Sequence, residues 1–545
     1  MKNKFYTLSR MALGLIFFMA LASLGIAQTQ TITFQNPGLK QGFNLMDSKS
    51  SSVEIHYAVN EFFLEDMVAN GEQMKSVLLP GAFLPNDEGA PNLGGESRMI
   101  AIPQGSTPVL NIKSLSFEKF QNVEVGPAPR LPLESETGPL SYEKNPAIYS
   151  ANAMYPAQPV RLSEPTAIRG LDMVMLGITP FQYNPVTKEL LVYTHMEVEV
   201  IFEGGNGQYG ENAFRNPYFD AIFSDNLLNY SSLPKIDYAA RYASYYGVTD
   251  NDECEYIIIS PNAPEFLAWA DTIRKFRTEQ GILTKVFSLN QVGGNTTSAI
   301  ENFINNAYNN WTIKPITCLL LGDYGTNGDN TVISPIYNNY CVSDNIYADV
   351  TGNMMPDVVF SRMTARNSGE LQVLITKFLN YERNPQTNPD FYLKPITALG
   401  WQTERWFQIC SETVGGFWQN KQGKDPVRQN AIYQGNPNVD PWSTATNTST
   451  VLNYFGPNGQ GYIPSTPQIL GGWTGGTPTG INNAINAGAF ILQHRDHGME
   501  TGWGEPSYTN SNINALYKAD LTFVMSINCL TGKYNWSSEC FTEKF

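Results

Sequence analysis

From about residue 250 onward, short apolar runs alternate with segments of helical periodicity. Tyr256-Ile-Ile-Ile-Ser260 is the first compact run, and a helix that begins at Pro264 and ends before Gly281 follows it. Further strands are predicted at 283–287, in the run ending at 321, at 357–360 and near 396, and further helices at about 298–308, through 381 and at about 404–420. Strands that alternate with helices in this way predict βαβ units around a parallel sheet.

The preceding part of the chain, residues 28 to about 235, has a different pattern. Short alternating runs such as 52–57 and 190–201 are divided by Gly, Pro and Asn turns, which predicts an all-β domain. His56 and His195 lie on two of these strands and are expected to be packed or surface histidines. Between the halves, residues 236–249 read as an exposed linker without clear periodicity, and Arg241 within it is a candidate proteolytic site.

The N-terminus is typical of a signal peptide. Lys2, Lys4 and Arg10 precede an apolar run from Met11 to Ile26, which is short for a membrane span. A membrane anchor is the alternative interpretation. We therefore expect residues 1–27 to be removed and the mature chain, 28–545, to be exported, either secreted or at the cell surface, without a membrane span. A net charge of −15, with no cluster of Lys and Arg, argues against a nucleic-acid partner.

A polar loop and a cysteine follow the last two predicted strands. His497 comes after the run 489–492, and Cys529 comes after the run 521–528. If both runs are parallel strands, the imidazole and the thiol meet at their carboxyl ends, where open α/β sheets bind ligands. Such a pair can carry out acyl transfer, with the amide N–H groups of Gly498 and Cys529 stabilising an oxyanion.

Alternative interpretations apply to the same residues. A single His or a single Cys is more often structural than catalytic. His494 and His497 have the spacing of a metal-binding pair, for which Asp496 and Glu500 would have to supply further ligands. The six cysteines are too few for a disulfide scaffold of this size. Phosphate-loop and dinucleotide motifs are absent.

Several segments resemble, in the same order, the gingipain-type cysteine peptidases (peptidase family C25). The segments around the candidate pair are His497-Gly-Met-Glu-Thr-Gly-Trp-Gly504, Ser526-Ile-Asn-Cys529-Leu-Thr-Gly532 and Glu539-Cys-Phe-Thr-Glu543. Upstream, the segments are 320–323, 343–347, 359–362 and 381–384. The resemblance covers about 250–545, and 28–235 is more loosely similar to the propeptide of the family.

The resemblance implies a caspase-like α/β fold, with a parallel or mixed sheet flanked by helices, after the all-β prodomain. It implies that Cys529 is the nucleophile, His497 the general base and Gly498 part of the oxyanion hole. Cys540 matches a second family cysteine that is not the nucleophile. The family also has an acidic residue that orients the histidine. Glu404 is the nearest match, and Glu500 and Glu505 are rival candidates.

The resemblance also bears on ligands and specificity. Catalysis is expected to need no cofactor, but family members hold structural calcium, and Asp323 and Asp344 lie in matching segments. These two acids are equally interpreted as loop acids or helix caps. Members that cleave after Arg carry an Asp after the orienting Glu, whereas residues 405–410 of this chain contain no carboxylate. A less charged P1 preference is therefore expected.

The chain is expected to be a secreted cysteine endopeptidase made as a zymogen. Protein or peptide substrates and the chain's own propeptide, as inhibitor, are the expected partners, and cleavage at Arg241 is the expected activating step. The alternative is a catalytically idle relative that acts as a surface binding module. Since the family's catalytic domain extends further beyond the cysteine, 250–545 is expected to be an incomplete domain with an uncovered sheet edge.

Overall fold

The fold is described from a computed structural model of the 545-residue chain. The structure describes residues 29–81, 87–130, 132–133, 136, 140–245, 252–402, 405–431, 442–443, 445, 448–467, 475–518 and 520–545. The predicted signal peptide and Glu404 lie outside the described residues.

The N-terminal region is β-rich, as predicted, and its strands form three sheets. The sheet orders are β1-β4-β5, β6-β10-β8 with β9 beside β10, and β11-β12-β3-β2 with β7 also paired to β12. The strands are β1 Thr29–Thr33, β2 Gly42–Ser48, β3 Ser52–Ala58, β4 Glu61–Ala69, β5 Glu72–Leu78, β6 Glu96–Ala101, β7 Ser106–Phe120, β8 Val160–Leu162, β9 Thr166–Ile168, β10 Leu171–Ile178, β11 Phe181–Asn184 and β12 Glu189–Gly204. Two helices, Pro146–Tyr149 and Pro217–Asn226, accompany them.

Period-two alternation decides which side chains of this region enter the core. On β3, Val53, Ile55 and Tyr57 are fully buried, whereas Glu54 and His56 lie between them on the other face and are only partly buried. Successive side chains of a strand point to opposite faces, so one face of the sheet forms the core and the other carries polar groups.

The segment between the two halves contains a helix, Tyr238–Tyr245, where the sequence indicated an irregular linker. Tyrosines four residues apart share one face of this helix, and the Tyr238 and Tyr242 rings lie 6.3 Å apart. The Tyr238 hydroxyl donates to Asp220 at 2.6 Å. Arg241 donates to the Arg215 carbonyl oxygen at 2.8 Å and is half-buried. The helix is therefore docked on the β-rich region.

Beyond the linker, the predicted parallel sheet is present as two four-stranded parallel sheets with orders β14-β13-β15-β18 and β20-β19-β21-β25. The strands are β13 Tyr256–Ser260, β14 Thr284–Ser288, β15 Thr317–Leu321, β16 Ile336–Tyr337, β17 Cys341–Val342, β18 Val359–Met363, β19 Ile396–Leu399, β20 Val427–Arg428, β21 Ile491–Arg495, β22 Gly498–Met499, β23 Gly502–Trp503, β24 Tyr508–Thr509 and β25 Phe523–Ile527. The helices are Pro264–Glu279, Leu289–Val292, Thr297–Asn310, Asn345–Ala348, Ser368–Arg383, Pro389–Leu393, Phe407–Gln422, Thr448–Phe455, Pro478–Ala487, Asn510–Ile513 and Phe541–Lys544.

The first of these sheets is covered by helices on both faces. Ile257 and Ile259 of β13 pack with the helix Thr297–Asn310, while Ile258 between them packs with the helices Pro264–Glu279 and Ser368–Arg383. A strand buried on both faces reads as a continuous apolar run, which is why 256–260 lacks alternation. The predicted α/β class is confirmed.

The second sheet carries the polar loop and the cysteine. β21 lies inside the sheet and β25 is its outer strand, with the Phe523 side chain 66% exposed. The helix Pro478–Ala487 covers one face, where Ile481 packs with Leu492. In the part of the chain that the structure describes, no helix combines the length and the apolar character needed to cross a membrane.

Candidate active site

His497 and Cys529 occupy equivalent positions just after the ends of two neighbouring strands. In the parallel pairing of β21 with β25, Arg495 lies opposite Ile527, and each of the two candidate residues follows two positions later. Adjacent strands of a sheet are about 4.8 Å apart. The structure therefore brings the imidazole-bearing and thiol-bearing segments to one edge of the second sheet, as predicted.

A tight turn directly after Cys529 presents its thiol. The Thr531 amide N–H donates to the Cys529 carbonyl oxygen at 2.8 Å, and Leu530 between them has a φ of 65°. A three-residue hydrogen bond around a positive φ is the rarer and more strained form of the γ-turn. Strained backbone of this kind is concentrated at functional sites. Cys529 is exposed and unpaired.

Gly498 lies against the backbone of the cysteine segment. A Cβ atom at this position would lie 2.7 Å from the Cys529 carbonyl oxygen and 2.8 Å from the Asn528 side-chain carbon. Only a residue without a side chain permits this approach. Gly498 thus lies beside the Cys529 backbone, and the chain after β21 runs alongside the candidate nucleophile.

The His497 ring is oriented by a residue that the sequence analysis did not identify. Its Nε2 donates to the Gln402 side-chain oxygen at 2.8 Å, and the Phe407 ring meets it edge-on with centroids 5.0 Å apart. Because an amide oxygen only accepts, Nε2 is the donor in this contact. The available sequence signal was the position of Gln402, a polar residue just after the end of β19 at Leu399.

The acidic candidates for orienting His497 are engaged elsewhere or lie outside the described residues. Glu404 lies outside the described residues. Glu500 forms an ion pair with Lys533 at 3.2 Å. The Glu505 carboxylate accepts from the Trp401 amide N–H at 3.3 Å. Neither rival carboxylate therefore takes the place that Gln402 occupies on the imidazole.

His494 is a buried support rather than half of a metal pair. It is fully buried and stacks on Trp503, with ring centroids 4.0 Å apart and nearly parallel planes. Asn528 contacts Nδ1 at 2.8 Å and the Glu505 carbonyl oxygen contacts Nε2 at 3.1 Å. Burial lowers the pKa of His494 to about 3, so the ring is neutral near pH 7. With both nitrogens engaged, the ring connects β21 to the cysteine segment.

The two acids expected near calcium lie in different surroundings. Both oxygens of Asp344 accept from Arg362 at 2.8 Å, which gives this carboxylate a cationic partner within the protein. Asp323 accepts from the Tyr324 amide N–H at 2.7 Å. Burial, the main cause, raises the pKa of Asp323 and also that of its neighbour Glu543. Calcium binding by Asp323 and Asp344 stays a prediction.

Most of the remaining cysteines are less exposed than Cys529, whereas Cys341 is also exposed. Cys254, Cys318 and Cys540 are buried, and none of the six cysteines, all of which the structure describes, forms a disulfide. Burial is the main cause that raises the pKa of the Cys540 thiol, so this residue is a poor nucleophile. Cys318, on β15, is fully buried.

Comparisons with known proteins match both halves of the chain. The profile of peptidase family C25 matches residues 249–545, and the profile of the C25 propeptide matches residues 30–236. Lys-gingipain from Porphyromonas gingivalis is 24% identical over 551 residues, which cover 97% of this chain and 28% of that protein. Gingipain R1 from the same species is 22% identical over 542 residues, covering 96% of this chain and 47% of that protein. The chain thus spans between about a quarter and a half of the length of these relatives.

Two solved structures are also similar. The crystal structure of the Arg-specific cysteine proteinase gingipain R is 20% identical, with a TM-score of 0.41, and the match covers 55% of this chain and 59% of that one. The complex of the Porphyromonas gingivalis RgpB pro- and mature domains is 21% identical, with a TM-score of 0.32, over 36% of this chain and 100% of that one. The C25 profile by itself spans more than half of the chain. This protein therefore belongs to peptidase family C25, and its β-rich N-terminal region is a C25 propeptide.

Proposed function

We propose that this chain is the precursor of a secreted cysteine endopeptidase in which Cys529 is the nucleophile and His497 the general base. The observation that supports this assignment best is the shared register of β21 and β25, which ends both strands at the same edge of the sheet. The exposed thiol, the adjoining Gly498 and the oriented imidazole supply the parts that acyl transfer needs.

The proposed chemistry begins with a proton transfer. With Nε2 donating to Gln402, Nδ1 of His497 takes the proton of the Cys529 thiol, and the thiolate attacks the carbonyl carbon of the scissile peptide bond. The carbonyl oxygen becomes an oxyanion, and the amide N–H groups of Gly498 and Cys529 stabilise it. When the carbon–nitrogen bond breaks, the imidazolium gives its proton to the leaving amine.

The second half of the reaction releases the acyl group. His497 takes a proton from water, and the resulting nucleophile attacks the thioester carbon. The carbon–sulfur bond breaks and the Cys529 thiolate is regenerated. Apart from the substrate and water, every group that reacts in these steps belongs to the chain. The proposed reaction therefore uses no cofactor.

The pocket that receives the P1 side chain of the substrate is proposed to lack an acidic residue. Residues 405–410 follow the segment around Gln402, and Phe407 at the start of the helix Phe407–Gln422 contacts the His497 ring. This segment offers aromatic side chains and Arg405 but no carboxylate. An apolar or uncharged P1 side chain fits such a surface better than Arg or Lys, because a buried cation without a partner is costly.

The peptidase is proposed to stay inactive while the propeptide remains docked. Activation is proposed to follow cleavage within residues 236–249, with the peptide bond at Arg241 as the candidate site. The propeptide meets the peptidase domain through Asn458, which donates to Glu65 at 2.8 Å, and through Gln460, which donates to the Gly81 carbonyl oxygen at 3.1 Å. Arg241 lies on a docked helix, and this helix has to unwind before an activating peptidase can bind it in extended form.

Export is proposed from the signal-like N-terminus. Structural calcium remains a prediction, for which Asp323 and Glu543 are the side chains that lie together. Two carboxylates supply fewer oxygens than the six to eight that Ca²⁺ prefers, so backbone oxygens and water would have to complete the site.

A thiol label combined with a peptide-library cleavage profile tests the proposed function. Iodoacetamide is expected to alkylate Cys529 rapidly in the processed protein, and Cys529→Ala should abolish both this labelling and peptide cleavage. His497→Ala should lower the rate of labelling and cleavage by about 10²- to 10⁴-fold.

Cys341→Ala is the matched control, since Cys341 is also exposed and lies outside the proposed site. Cleavage by the Cys529→Ala variant would disprove the mechanism. Slow labelling without any cleavage in the parent protein would favour the catalytically idle binding module.

A further inference from the structure

Two of the four histidines in the chain meet on the outer face of a propeptide sheet, far in sequence from the catalytic pair. In the pairing of β3 with β12, His56 lies opposite Glu197, and His195 is two positions earlier on the same strand as Glu197. One ligand atom from each of these three side chains lies within 4.8 Å of the others, and all three side chains are partly buried.

The distance between the two imidazoles matches a zinc site. His195 Nε2 lies 3.3 Å from His56 Nδ1. With Zn–N bonds of about 2.0–2.1 Å, two ligand nitrogens of a tetrahedral zinc ion are about 3.3 Å apart. The rings meet at 72°, with centroids 4.9 Å apart, so their nitrogen atoms converge without stacking.

Among the glutamates around the two histidines, Glu197 is the one whose carboxylate is available to bind a metal ion. Lys113 forms ion pairs with Glu54 at 3.2 Å and with Glu199 at 3.6 Å. Glu197 forms no ion pair with any residue that the structure describes. On the far side of the His56 ring, Nε2 lies 3.8 Å from Glu54. At that distance the Glu54 carboxylate acts on the imidazole through its charge and not through a hydrogen bond.

We propose that His56, His195 and Glu197 form a divalent-metal site, suited to Zn²⁺, that links the β3 and β12 strands of the propeptide. Two imidazoles and one carboxylate are a known zinc ligand set, in which water takes the fourth position. Because the ligands lie on two paired strands of one sheet, bound metal would stabilise the folded propeptide by binding the native state alone. The site does not depend on the proposed peptidase activity.

Zinc titration of the full chain tests the site. The parent protein should carry Cys529→Ala and Cys341→Ala, so that these exposed thiols do not compete for the metal, and affinity is measured by competition with a chromophoric zinc chelator. His56→Gln and His195→Gln should each weaken one zinc equivalent by at least about 100-fold, and Glu197→Gln by about 10-fold. Zinc should also raise the melting temperature of the parent and not that of the histidine variants.

Glu203→Gln is the matched control, because it removes the same charge from the exposed end of β12 and should leave zinc affinity unchanged. Unchanged stoichiometry and affinity in both histidine variants would overturn the proposal. If either variant fails to fold, the absorption spectrum of Co²⁺ bound to the parent protein decides whether the site exists. A tetrahedral d–d spectrum without thiolate charge transfer supports the site, and an octahedral or thiolate spectrum overturns it.

Discussion

Burial of the His494 side chain, beside the candidate active site, makes the stability of the fold depend on pH. Burial lowers its pKa to about 3, whereas in the unfolded chain a histidine titrates near 6.5. Between these two values the unfolded chain binds one more proton than the folded protein. The contribution of His494 to stability is therefore complete above about pH 6.5 and is lost as the pH falls towards 3.

We expect His494→Gln to reduce the acid sensitivity of the fold. Between pH 6 and pH 4, the free energy of unfolding of the parent should fall more steeply than that of the variant, by up to about 1.4 kcal/mol per pH unit. Urea denaturation at a series of pH values measures both slopes, and the difference cancels all other titrating groups. Equal slopes would show that His494 is protonated in the folded protein.

Gln402 is expected to act as a positioning residue for His497. Gln402→Leu removes the acceptor of Nε2–H and lets the ring rotate. The value of kcat should therefore fall by about 10- to 100-fold, which is part of the ~10²–10⁴ that general acid–base catalysis contributes. KM should change little, and the pH dependence of Cys529 alkylation should change with kcat. Gln419→Leu, an exposed amide near the end of the next helix, is the control and should retain parental kinetics.

The helix Phe407–Gln422 contains adjacent glycines that have opposite packing requirements. A Cβ at Gly416 would lie 1.8 Å from the Tyr462 carbonyl oxygen, whereas at Gly415 the nearest atoms, those of the Glu412 carboxylate, are 3.6 Å away. Gly416 is therefore required for close backbone packing, while Gly415 has room for a methyl group.

Alanine substitutions should separate these two roles. Gly416→Ala should destabilise the domain by about 1–3 kcal/mol through overpacking. Gly415→Ala should stabilise it by up to about 1 kcal/mol, the helix-propensity difference between the two residues. Urea midpoints followed by tryptophan fluorescence measure both effects. Equal effects of the two substitutions would contradict the close contact with Tyr462.

The propeptide and the peptidase domain are joined by a buried arginine. Arg169 is 1% exposed and donates to the Pro315 carbonyl oxygen at 3.0 Å and to the Asp357 carbonyl oxygen. It also lies over the Tyr308 ring, with its guanidinium carbon 5.4 Å from the centroid. The Arg169 guanidinium thus extends from the propeptide into the peptidase domain, where backbone carbonyl oxygens accept its hydrogen bonds.

We expect Arg169→Leu to weaken propeptide binding. Leaving a buried carbonyl without its donor costs about 1–3 kcal/mol, so the propeptide should dissociate at least about 10-fold more readily once the linker has been cut. Size-exclusion chromatography of the nicked protein measures the retained fraction. Arg161→Leu, at an exposed position of the same domain, should leave the complex intact. Equal retention in both variants would assign the association to other contacts.

Particular residues show how far the sequence was sufficient. The apolar run 256–260, the Pro264 start of the next helix and the positions of β21 and β25 follow from local periodicity, and the structure has them. The helix Tyr238–Tyr245 was missed, since its pattern consists of aromatic residues that dock on a neighbouring domain. The division into two four-stranded sheets was also not predicted, because strand pairing depends on contacts between segments distant in sequence.

Local patterns in the sequence were sufficient for the class of each half, the C25 family and the two residues proposed for catalysis, because periodicity and short motifs are local properties. The folded chain alone sets which groups surround these residues. It placed Gln402 on the His497 ring, engaged Glu500 with Lys533, buried His494 against Trp503 and joined His56 with His195. These contacts join strands and loops far apart in the chain, and their distances depend on register and packing, which no local pattern encodes.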